Sequence, residues 1–310
     1  MTKKLSGMIS SSLRPTLPVC MGLVAVLVCW FFVMSTTTVL AGLIAYEGFD
    51  YDPGNIATLN GGTGWTAAWT SNSTTGSVVS GGLTYTDTNG NQLVVSGNSA
   101  VSSGQAASAQ TVRDLPQTGT GGTTTWLSYI GQRLAPHATA DENLARAASL
   151  QIHDVGTSPV EKLAIGKGTT NPPSQTNWSI LHSGNVANAV YSTVPQLSQA
   201  FLVVRIDHLG DTTVPDNAWL WVNPLLSSEP NTADAAALFI GAIDFSYDRI
   251  RIFAGNTSGG NPYAQIAYDE IRFGTEYADI SPFIPGIPEP GTVILSALAM
   301  LGIASMRTRR

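Results

Sequence analysis

Short apolar runs separated by small polar residues are the feature that most constrains this chain. Between residues 42 and 285, clusters of Gly, Ser, Thr and Asn separate runs rich in Val, Ile, Tyr, Trp and Phe. No stretch there keeps a 3.6-residue apolar period over three helical turns, and Glu142–Leu150 is the best short helix candidate. Strands joined by polar turns have this composition, whereas amphipathic helices need a sustained period. The sequence therefore predicts an all-β domain.

The clearest single strand is Asp248–Phe253, where charged and apolar residues alternate. Successive side chains of a strand point to opposite faces, so we expect Ile250 and Ile252 inward and Arg249 and Arg251 outward. Strands are predicted at Leu43–Phe49, Gly82–Thr86, Gln92–Ser96, Thr125–Leu134, Ala148–His153, Lys162–Gly166, Trp178–His182, Ala200–Asp207, Ala218–Val222, Ala237–Ile243, Asp248–Ala254 and Gln265–Phe273. So many short strands indicate two packed antiparallel sheets.

The stretch TGTGGTTT, residues 118–125, is the most linker-like part of the region. We interpret it as a hairpin loop, because a domain boundary there would leave a first part too small for a good core. Residues 42–285 are accordingly predicted to form one β-sandwich domain.

The first 41 residues have the layout of a secretory signal peptide. Two lysines and an arginine precede the apolar run Val19–Met34, and Val39 and Ala41 stand at the −3 and −1 positions of a small-residue cleavage site. An uncleaved anchor is the alternative, although the run is shorter than the ~20 residues that span a membrane comfortably. Both cysteines lie within this run, so the exported domain has no disulfide.

The other end, residues 286–310, combines three features in order. They are the motif Pro288, Glu289 and Pro290, the apolar run Thr292–Ser305, and the basic residues Arg307, Arg309 and Arg310. As a helix the run would extend about 21 Å, short of a ~30 Å hydrocarbon core. Arginines remain on the cytoplasmic side. We therefore expect a short transmembrane segment that holds the domain outside the inner membrane transiently.

This arrangement resembles the PEP-CTERM sorting signal of Gram-negative and related bacteria. The resemblance implies recognition by a membrane-embedded exosortase that cuts near the PEP motif. It also implies a cell that produces exopolysaccharide and forms biofilm, with the protein ending at the cell surface or outside the cell. An ordinary tail anchor is the alternative.

The region between the ends resembles LamG-like, concanavalin-A-like domains. The matching segments are Tyr268–Gly274 for the last strand, Phe201–Asp207 with Ala218–Pro224 for two paired central strands, and Tyr46–Asp50 with Trp65 and Trp69 for the first strand and loop. The resemblance implies a jelly-roll sandwich that serves as a binding or adhesive scaffold, often for glycans and sometimes with calcium.

Charge excludes one class of partner. The net charge of −6 becomes −11 for residues 42–285, because six of the 15 basic residues but only one of the 21 acidic residues lie in the two ends. Nucleic-acid affinity depends on basic patches, so no nucleic acid is expected as a partner.

The sequence offers no familiar catalytic pattern. Glucanases on a related fold carry two carboxylates in a Glu-x-Asp-x-x-Glu run, which is absent here, as are the G-x-S-x-G, H-E-x-x-H and G-x-x-x-x-G-K-[ST] motifs. The four histidines, at positions 137, 153, 182 and 208, lack metal-ligand spacing and are interpreted as polar surface or strand residues. No catalytic residue is predicted, and the domain is expected not to be an enzyme.

Calcium is the one metal that the sequence suggests. Asp50, Asp52 and Asn55 supply three oxygen-bearing side chains within six residues, and Ca²⁺ takes oxygen ligands from such loops. A polar turn stabilised by these side chains is the alternative.

Asp269 is a fourth candidate ligand for calcium. By alternation it shares a face with Ile271 and Phe273, so its carboxylate has to be metal-bound or hydrogen-bonded if it is buried. Hydrogen bonds from loop N–H groups are the alternative to a metal.

Tryptophans are the candidates for sugar contact. Trp65 and Trp69 lie in Gly- and Thr-rich sequence, and loop tryptophans offer flat apolar faces for stacking. Core packing is the alternative for both. The leading expectation is an exported structural or adhesive protein associated with extracellular polysaccharide. A lectin-like module is the second, and a glycoside hydrolase is the least favoured.

Overall fold

The computed structural model describes residues 42–72, 75–134, 146–167, 176–211, 213–256 and 263–286. All of them belong to one of the two compact units into which the chain divides, Ala41–Arg310. The predicted signal peptide and the sorting residues Pro288, Glu289, Pro290, Arg307, Arg309 and Arg310 lie outside the described residues. Within the described ranges, no helix has the length and apolar character needed to cross a membrane.

The described elements are almost entirely strands. They are β1 Leu43–Glu47, β2 Gly54–Asn55, β3 Thr70–Ser71, β4 Gly76–Val79, β5 Gln92–Leu93, β6 Ser99–Ser103, β7 Ala109–Thr118, β8 Thr123–Leu134, β9 Ala148–His153, β10 Glu161–Lys167, β11 Asn177–His182, β12 Val190–Pro195, β13 Ala200–His208, β14 Asn217–Val222, β15 Ala237–Phe239, β16 Tyr247–Ala254, β17 Gln265–Gly274 and β18 Phe283–Ile284. One short helix, α1, spans Tyr277–Ile280, and 3-10 turns span Val186–Asn188 and Thr232–Asp234.

Two antiparallel sheets form the body of the domain. The nine-stranded sheet has the order β15-β14-β13-β8-β17-β6-β4-β2, with β1 added against β17, and the seven-stranded sheet has the order β12-β11-β10-β9-β16-β7-β3. A small pair, β18-β5, lies apart from both. The prediction of an all-β antiparallel sandwich is confirmed.

The main core lies between the two sheets. Alternate residues of β8 and β13, such as Leu127 and Val204, share one buried cluster with Leu150 of β9 and Ile252 of β16. The phenol of Tyr129 crosses the gap and donates a 3.0 Å hydrogen bond to a carbonyl of β10. The alternation read from the sequence of β16 is confirmed, because Ile250 and Ile252 are fully buried while the arginines between them are half-buried.

Three local predictions need correction. Residues 148–150 of the helix candidate belong to β9, and residues 142–145 lie outside the described residues. Residues 82–86 form no strand. Residues 118–125 are no hairpin loop, because β7 pairs with β16 in one sheet and β8 pairs with β13 and β17 in the other. The Gly-rich stretch therefore connects the two sheets.

Several strands were missed because their inward positions are polar. In β7 the core-facing residues include Thr111 and Arg113, both at most 1% exposed. Arg113 forms a buried ion pair with Glu47 of β1, which compensates its charge. Such a strand lacks the apolar alternation that a sequence search detects.

The outer faces of the two sheets differ. On the nine-stranded sheet, Trp126, Phe201 and Trp221 form a second apolar cluster, which Leu93 and Tyr277 cover. On the seven-stranded sheet, the outward residues of β7, β9, β10 and β16 include a connected polar set, and we call it the polar face. Its members are Asp114, Gln151, His153, Glu161, Arg249 and Arg251.

Candidate functional site

The polar face is built by strand register. Glu161 of β10 pairs with His153 of β9, His153 pairs with Arg249 of β16, and Arg249 pairs with Asp114 of β7. Residues directly opposite in neighbouring strands present their side chains on the same face. Four adjacent strands therefore contribute one row of alternating charge with an imidazole inside it.

A second row lies beside the first and connects to it. Gln151 pairs with Arg251, and the Arg251 Nε donates a hydrogen bond to the Gln151 Oε1. The Arg251 Nη2 lies 3.1 Å from the Glu161 Oε2. The His153 Nε2 lies 3.3 Å from the same Gln151 Oε1. Gln151 thus joins the imidazole of one row to the guanidinium of the next.

These contacts determine which nitrogen of His153 carries a proton. Arginine can only donate, so the Gln151 atom that faces Arg251 is the oxygen. That oxygen can only accept, so the His153 Nε2 facing it has to be the N–H donor. The lone pair of the neutral ring is then on Nδ1, which is free to accept a proton.

Electrostatics keep this ring neutral. Burial, reinforced by the positive charges of Arg251 and Arg249, lowers the pKa of His153 to about 3. For Glu161, burial raises the pKa of the carboxyl group, while Arg251 and a hydrogen bond from the Gly184 N–H oppose that rise. Burial also lowers the pKa of Arg251. At neutral pH the site therefore combines a neutral proton acceptor with a guanidinium.

A cavity of about 130 Å³ opens beside these groups. Its walls are Ala147, Gln151, Glu161, Ala164, Leu181, Gly184, Arg251 and Phe253. Small side chains leave the space, and the Phe253 ring, 5.2 Å from the Arg251 guanidinium, forms an apolar wall. A cavity with a few convergent polar groups is the usual form of a small-ligand site.

The arrangement can perform acid–base chemistry on an anionic ligand. A guanidinium beside an amide binds a carboxylate through charge-assisted hydrogen bonds. A neutral imidazole with a free lone pair can accept a proton, although a pKa of about 3 makes His153 a weak base in the ligand-free protein. Together these groups suit abstraction of a proton next to a carboxylate, a reaction in which the cation stabilises the charge that develops.

His208 has triad-like contacts of a different character. Its Nε2 lies 3.0 Å from the Thr125 Oγ1, and its Nδ1 lies 3.1 Å from the Asp216 Oδ2. All three residues are at most 4% exposed, and Asp216 also accepts hydrogen bonds from the backbone N–H groups of Leu209 and Phe245. Because a substrate cannot reach Thr125, this network fixes loops rather than serving as a nucleophile.

The predicted tryptophan platform is corrected. Trp69 is 1% exposed, and its indole N–H donates to Glu47. Trp65 is half-buried and donates to the backbone oxygen of Tyr46. The Arg113 guanidinium lies 4.8 Å from the Trp65 ring and 5.4 Å from the Trp69 ring. Because Trp69 is buried, the two rings do not form a joint stacking surface for sugar. Sugar contact by Trp65 alone stays a prediction.

The candidate calcium ligands do not converge. Asp50 and Asp52 are exposed and Asp269 is buried, and the Asn55 Oδ1 accepts a 2.8 Å hydrogen bond from the Ala57 N–H, as in a polar turn. Across the part of the chain that the structure describes, no group of three or more His, Cys, Asp or Glu residues is placed to hold a metal ion. Calcium binding stays a prediction.

Asp269 is buried, but not on the expected face. The pairing of β17 with β8 shifts between Asp269 and Arg272, and Glu270 has a φ of 54°. This bulge breaks the alternation, so Asp269 does not share a face with Ile271 and Phe273. Its carboxylate accepts 2.8 Å hydrogen bonds from the N–H groups of Leu83 and Glu270, the alternative that the sequence left open.

Sequence reasoning missed the polar face itself. The interpretation of His153 as an ordinary strand or surface residue overlooked two matched spacings, Gln151 with His153 and Arg249 with Arg251. Each pair is two residues apart and therefore lies on one face of its strand. That β9 and β16 are neighbours is a long-range fact that neither spacing reveals.

No protein-family model and no curated protein matches the chain. Among solved structures, it is similar to an endo-β-1,4-glucuronan lyase from the fungus Trichoderma reesei, with 14% identity, a TM-score of 0.44, and coverage of 74% of this chain and 97% of the lyase. An alginate lyase solved with an alginate tetrasaccharide has 10% identity, a TM-score of 0.43, and coverage of 76% and 97%. The binding domain of botulinum neurotoxin serotype C1 has 9% identity, a TM-score of 0.43, and coverage of 77% and 51%.

The expectation of a structural or adhesive protein without enzymatic activity is corrected. Polysaccharide lyases are among the similar structures. The search for paired carboxylates also tested only for hydrolysis and overlooked a neutral histidine beside an arginine. Because each of these TM-scores is below 0.5, only the side chains of this chain can carry an argument about its chemistry.

Proposed function

We propose that this domain is a carbohydrate-active enzyme that cleaves a uronate-containing polysaccharide by β-elimination on the polar face. The observation that carries the proposal is Arg251 paired with Gln151 at the edge of a cavity, with the neutral His153 in contact with Gln151. His153 itself is 6% exposed and lies behind the cavity lining, so a ligand has to reach its Nδ1 by displacing the groups in front of it. A glycoside hydrolase needs two carboxylates that flank the scissile bond. Instead of two carboxylates, the polar face has His153 as a base and Arg251 as a cation that can bind a carboxylate.

The chemistry follows from the acidity of a uronate. The hydrogen on C5 is α to the carboxylate, and its removal places negative charge on the carboxylate oxygens. Arg251 and the Gln151 amide would stabilise that charge, and the His153 Nδ1 would take the proton. The electron pair then forms the C4–C5 double bond and the C4–O4 bond of the same ring breaks. The glycosidic oxygen leaves with the neighbouring sugar and takes a proton from water.

The acidic character of the whole domain does not exclude such a substrate. Exposed charges more than about 10 Å apart are screened at physiological salt, so the local charge near the cavity dominates. In the register of the sheet Arg249 lies opposite His153 and Arg251 lies opposite Gln151, two residues away on the same face. The neutral ring between them adds no charge of its own at neutral pH.

The direct test is to incubate the purified protein with glucuronan, with alginate and with a neutral β-glucan. Each eliminative cut creates a double bond conjugated to a carboxylate, which ultraviolet absorbance detects. We expect product from at least one uronate polymer and none from the neutral glucan. His153→Gln is expected to lower kcat/KM by about 10²–10⁴-fold.

His182→Gln provides the matched control. His182 lies on the same sheet but packs against Phe239, 4.8 Å between ring centroids, on the core side. Its substitution should leave kcat/KM within a few-fold of wild type. Binding of uronate polymers without any unsaturated product would contradict the proposal, as would full activity of the His153 variant.

We also propose a finer fold and a destination for the chain. The sandwich is proposed to be a concanavalin-A-like jelly roll, supported by the resemblance of Tyr268–Gly274 and the paired central strands. The protein is proposed to be exported, held in the inner membrane during sorting by an exosortase-type enzyme, and released to the cell surface. The order of Pro288, Glu289 and Pro290, the apolar run and the arginines supports this route. Detection of Arg310 in the surface-exposed protein by mass spectrometry would contradict it.

A further inference from the structure

A carboxylate of the protein itself, that of Glu161, is already paired with the Arg251 guanidinium of the polar face. The Glu161 Oε2 lies 3.1 Å from the Arg251 Nη2, and the two side chains are only 16% and 22% exposed. The backbone N–H of Gly184 adds a smaller contribution that opposes the rise in the pKa of this carboxyl group. The direct hydrogen bond comes from the guanidinium, the group by which proteins bind carboxylates in general.

These groups border the cavity. Glu161, Gly184 and Arg251 all line the space of about 130 Å³, which lies next to the floor formed by Ala147 and Ala164. The backbone at Gly184 has a φ of 62°, and a Cβ placed there would lie 3.8 Å from the Glu161 carboxyl carbon. Because glycine adopts this positive φ without strain, its N–H can stay at the cavity wall.

We infer that Glu161 is a built-in competitor, which holds the Arg251 guanidinium at the cavity until the carboxylate of an acidic sugar displaces it. The inference rests on the proposed function, because it names how the same site selects its ligand. The internal carboxylate marks the place where an external carboxylate would bind.

The energetics favour an exchange of this kind. Burial raises the pKa of Glu161 in spite of Arg251 and Gly184, so the ionised side chain is held at a cost in desolvation. A ligand carboxylate that replaces it would restore the same contacts while Glu161 moves toward solvent. A neutral sugar brings no charge with which to replace it and would leave Arg251 paired with Glu161.

Glu161 is therefore expected to set specificity and to weaken binding at the same time. The experiment uses the full chain with His153→Gln, so that the ligand is bound without being cleaved. Titration calorimetry measures Kd for a glucuronate tetrasaccharide and for a glucose tetrasaccharide of the same linkage. The measurement is repeated after adding Glu161→Gln, which keeps the volume, and after adding Glu161→Ala, which empties the position.

We expect both substitutions to tighten glucuronate binding by about fivefold, the change that removal of one competing, mostly buried ion pair produces. Binding of the neutral tetrasaccharide should not change. Glu229→Gln is the control for loss of an acidic charge away from the cavity, because Glu229 is 54% exposed and lies 3.2 Å from Arg205 of the other sheet. Thermal unfolding of each variant confirms that it is folded.

The outcomes separate this inference from the proposed function. Unchanged or weaker glucuronate binding in both folded Glu161 variants would overturn the inference even if the wild type cleaves the polymer. Tighter binding in a protein that never yields unsaturated product would support the inference and contradict the lyase proposal. If no variant binds glucuronate at all, both fail.

Discussion

The outer faces of the two sheets have the same strand geometry but carry different side chains. On the nine-stranded sheet the outward residues are large and aromatic, and Trp126 stacks on Trp221 beneath Tyr277. On the seven-stranded sheet the outward residues of β9 and β16 are Gln151, His153 and the arginines between the core isoleucines. The first face is a second core, whereas the second is a network of polar contacts around a cavity.

The difference indicates which face of this domain can hold a ligand-binding site. An apolar face is stabilised by segments that cover it. Here the short strand β5, through Leu93, and the helix α1 cover the aromatic cluster. A face of charged residues cannot be covered in this way without a desolvation cost. The polar face therefore keeps access to solvent at its cavity, where Gln151, Glu161 and Arg251 form part of the wall.

The largest expected effect is on the free energy of unfolding, and it tests the difference between the two outer faces. One aromatic residue on each face is replaced by alanine. Trp126 is 2% exposed, so Trp126→Ala should lower the free energy of unfolding by about 3–5 kcal/mol. Phe253 is half-buried at the cavity wall, and Phe253→Ala should cost less than about 1.5 kcal/mol. Urea denaturation at pH 7 measures both. Equal losses would mean that the polar face is as much a core as the other.

A smaller effect concerns acid stability and comes from His153. Its pKa of about 3 in the folded protein lies below the ~6.5 of an unperturbed histidine. Above pH ~6.5 neither state is protonated, so the ring has no effect on stability. As the pH falls from about 6.5 toward 3, the unfolded chain takes up a proton that the folded protein does not, and stability is lost.

His153→Gln should remove this acid sensitivity. Relative to the difference at pH 7.5, we expect the variant to gain about 2 kcal/mol over the wild type at pH 4, a value reduced from the full shift because the ring is partly hydrated. Urea denaturation at the two pH values measures the difference. A parallel loss of stability in both proteins would show that the pKa of His153 is the same in the folded and unfolded states, and that its surroundings do not keep the ring neutral in acid.

The two faces also show what could be predicted from the sequence. The outward position of Arg249 and Arg251 follows from alternation within one strand, and the structure confirms it. The face of Asp269 could not be predicted, since it depends on a bulge at Glu270 that alternation cannot anticipate. Trp69 was predicted to be a loop residue, but in the structure it is buried. Its indole N–H donates to Glu47 and its ring packs against Arg113, and both residues are distant in the sequence.

The candidate site could not be predicted from residues that are close in the sequence, and the reason is again a long-range contact. Gln151 and His153 lie in a strand that the sequence identifies correctly, yet nothing local indicates that Arg251 lies beside them. About 100 residues separate the two strands, and only sheet order makes them neighbours. A search limited to known motifs therefore found paired carboxylates to be absent and did not test other kinds of base.

The smallest expected effect concerns the outermost ion pair of the polar face. The Arg249 Nε lies 2.5 Å from the Asp114 Oδ1, but the side chains are 34% and 37% exposed. Ion pairs of this exposure contribute roughly 0.2–1 kcal/mol and are screened by salt. Asp114→Asn should therefore cost less than about 1 kcal/mol in the free energy of unfolding, and less again at high salt, as measured by urea denaturation.

The control for that substitution lies on the other sheet. Asp207 pairs with Arg205 at 2.8 Å with side chains 22% and 25% exposed, so Asp207→Asn should have a similarly small cost. The two substitutions should differ in ligand binding, because only Asp114 belongs to the row that contains His153. Loss of its charge leaves Arg249 unpaired beside the cavity groups and should tighten the binding of an acidic oligosaccharide. If Asp114→Asn instead destabilises the fold by several kcal/mol with no change in binding, the charged row is a structural element, and the contrast between the two faces is one of composition alone.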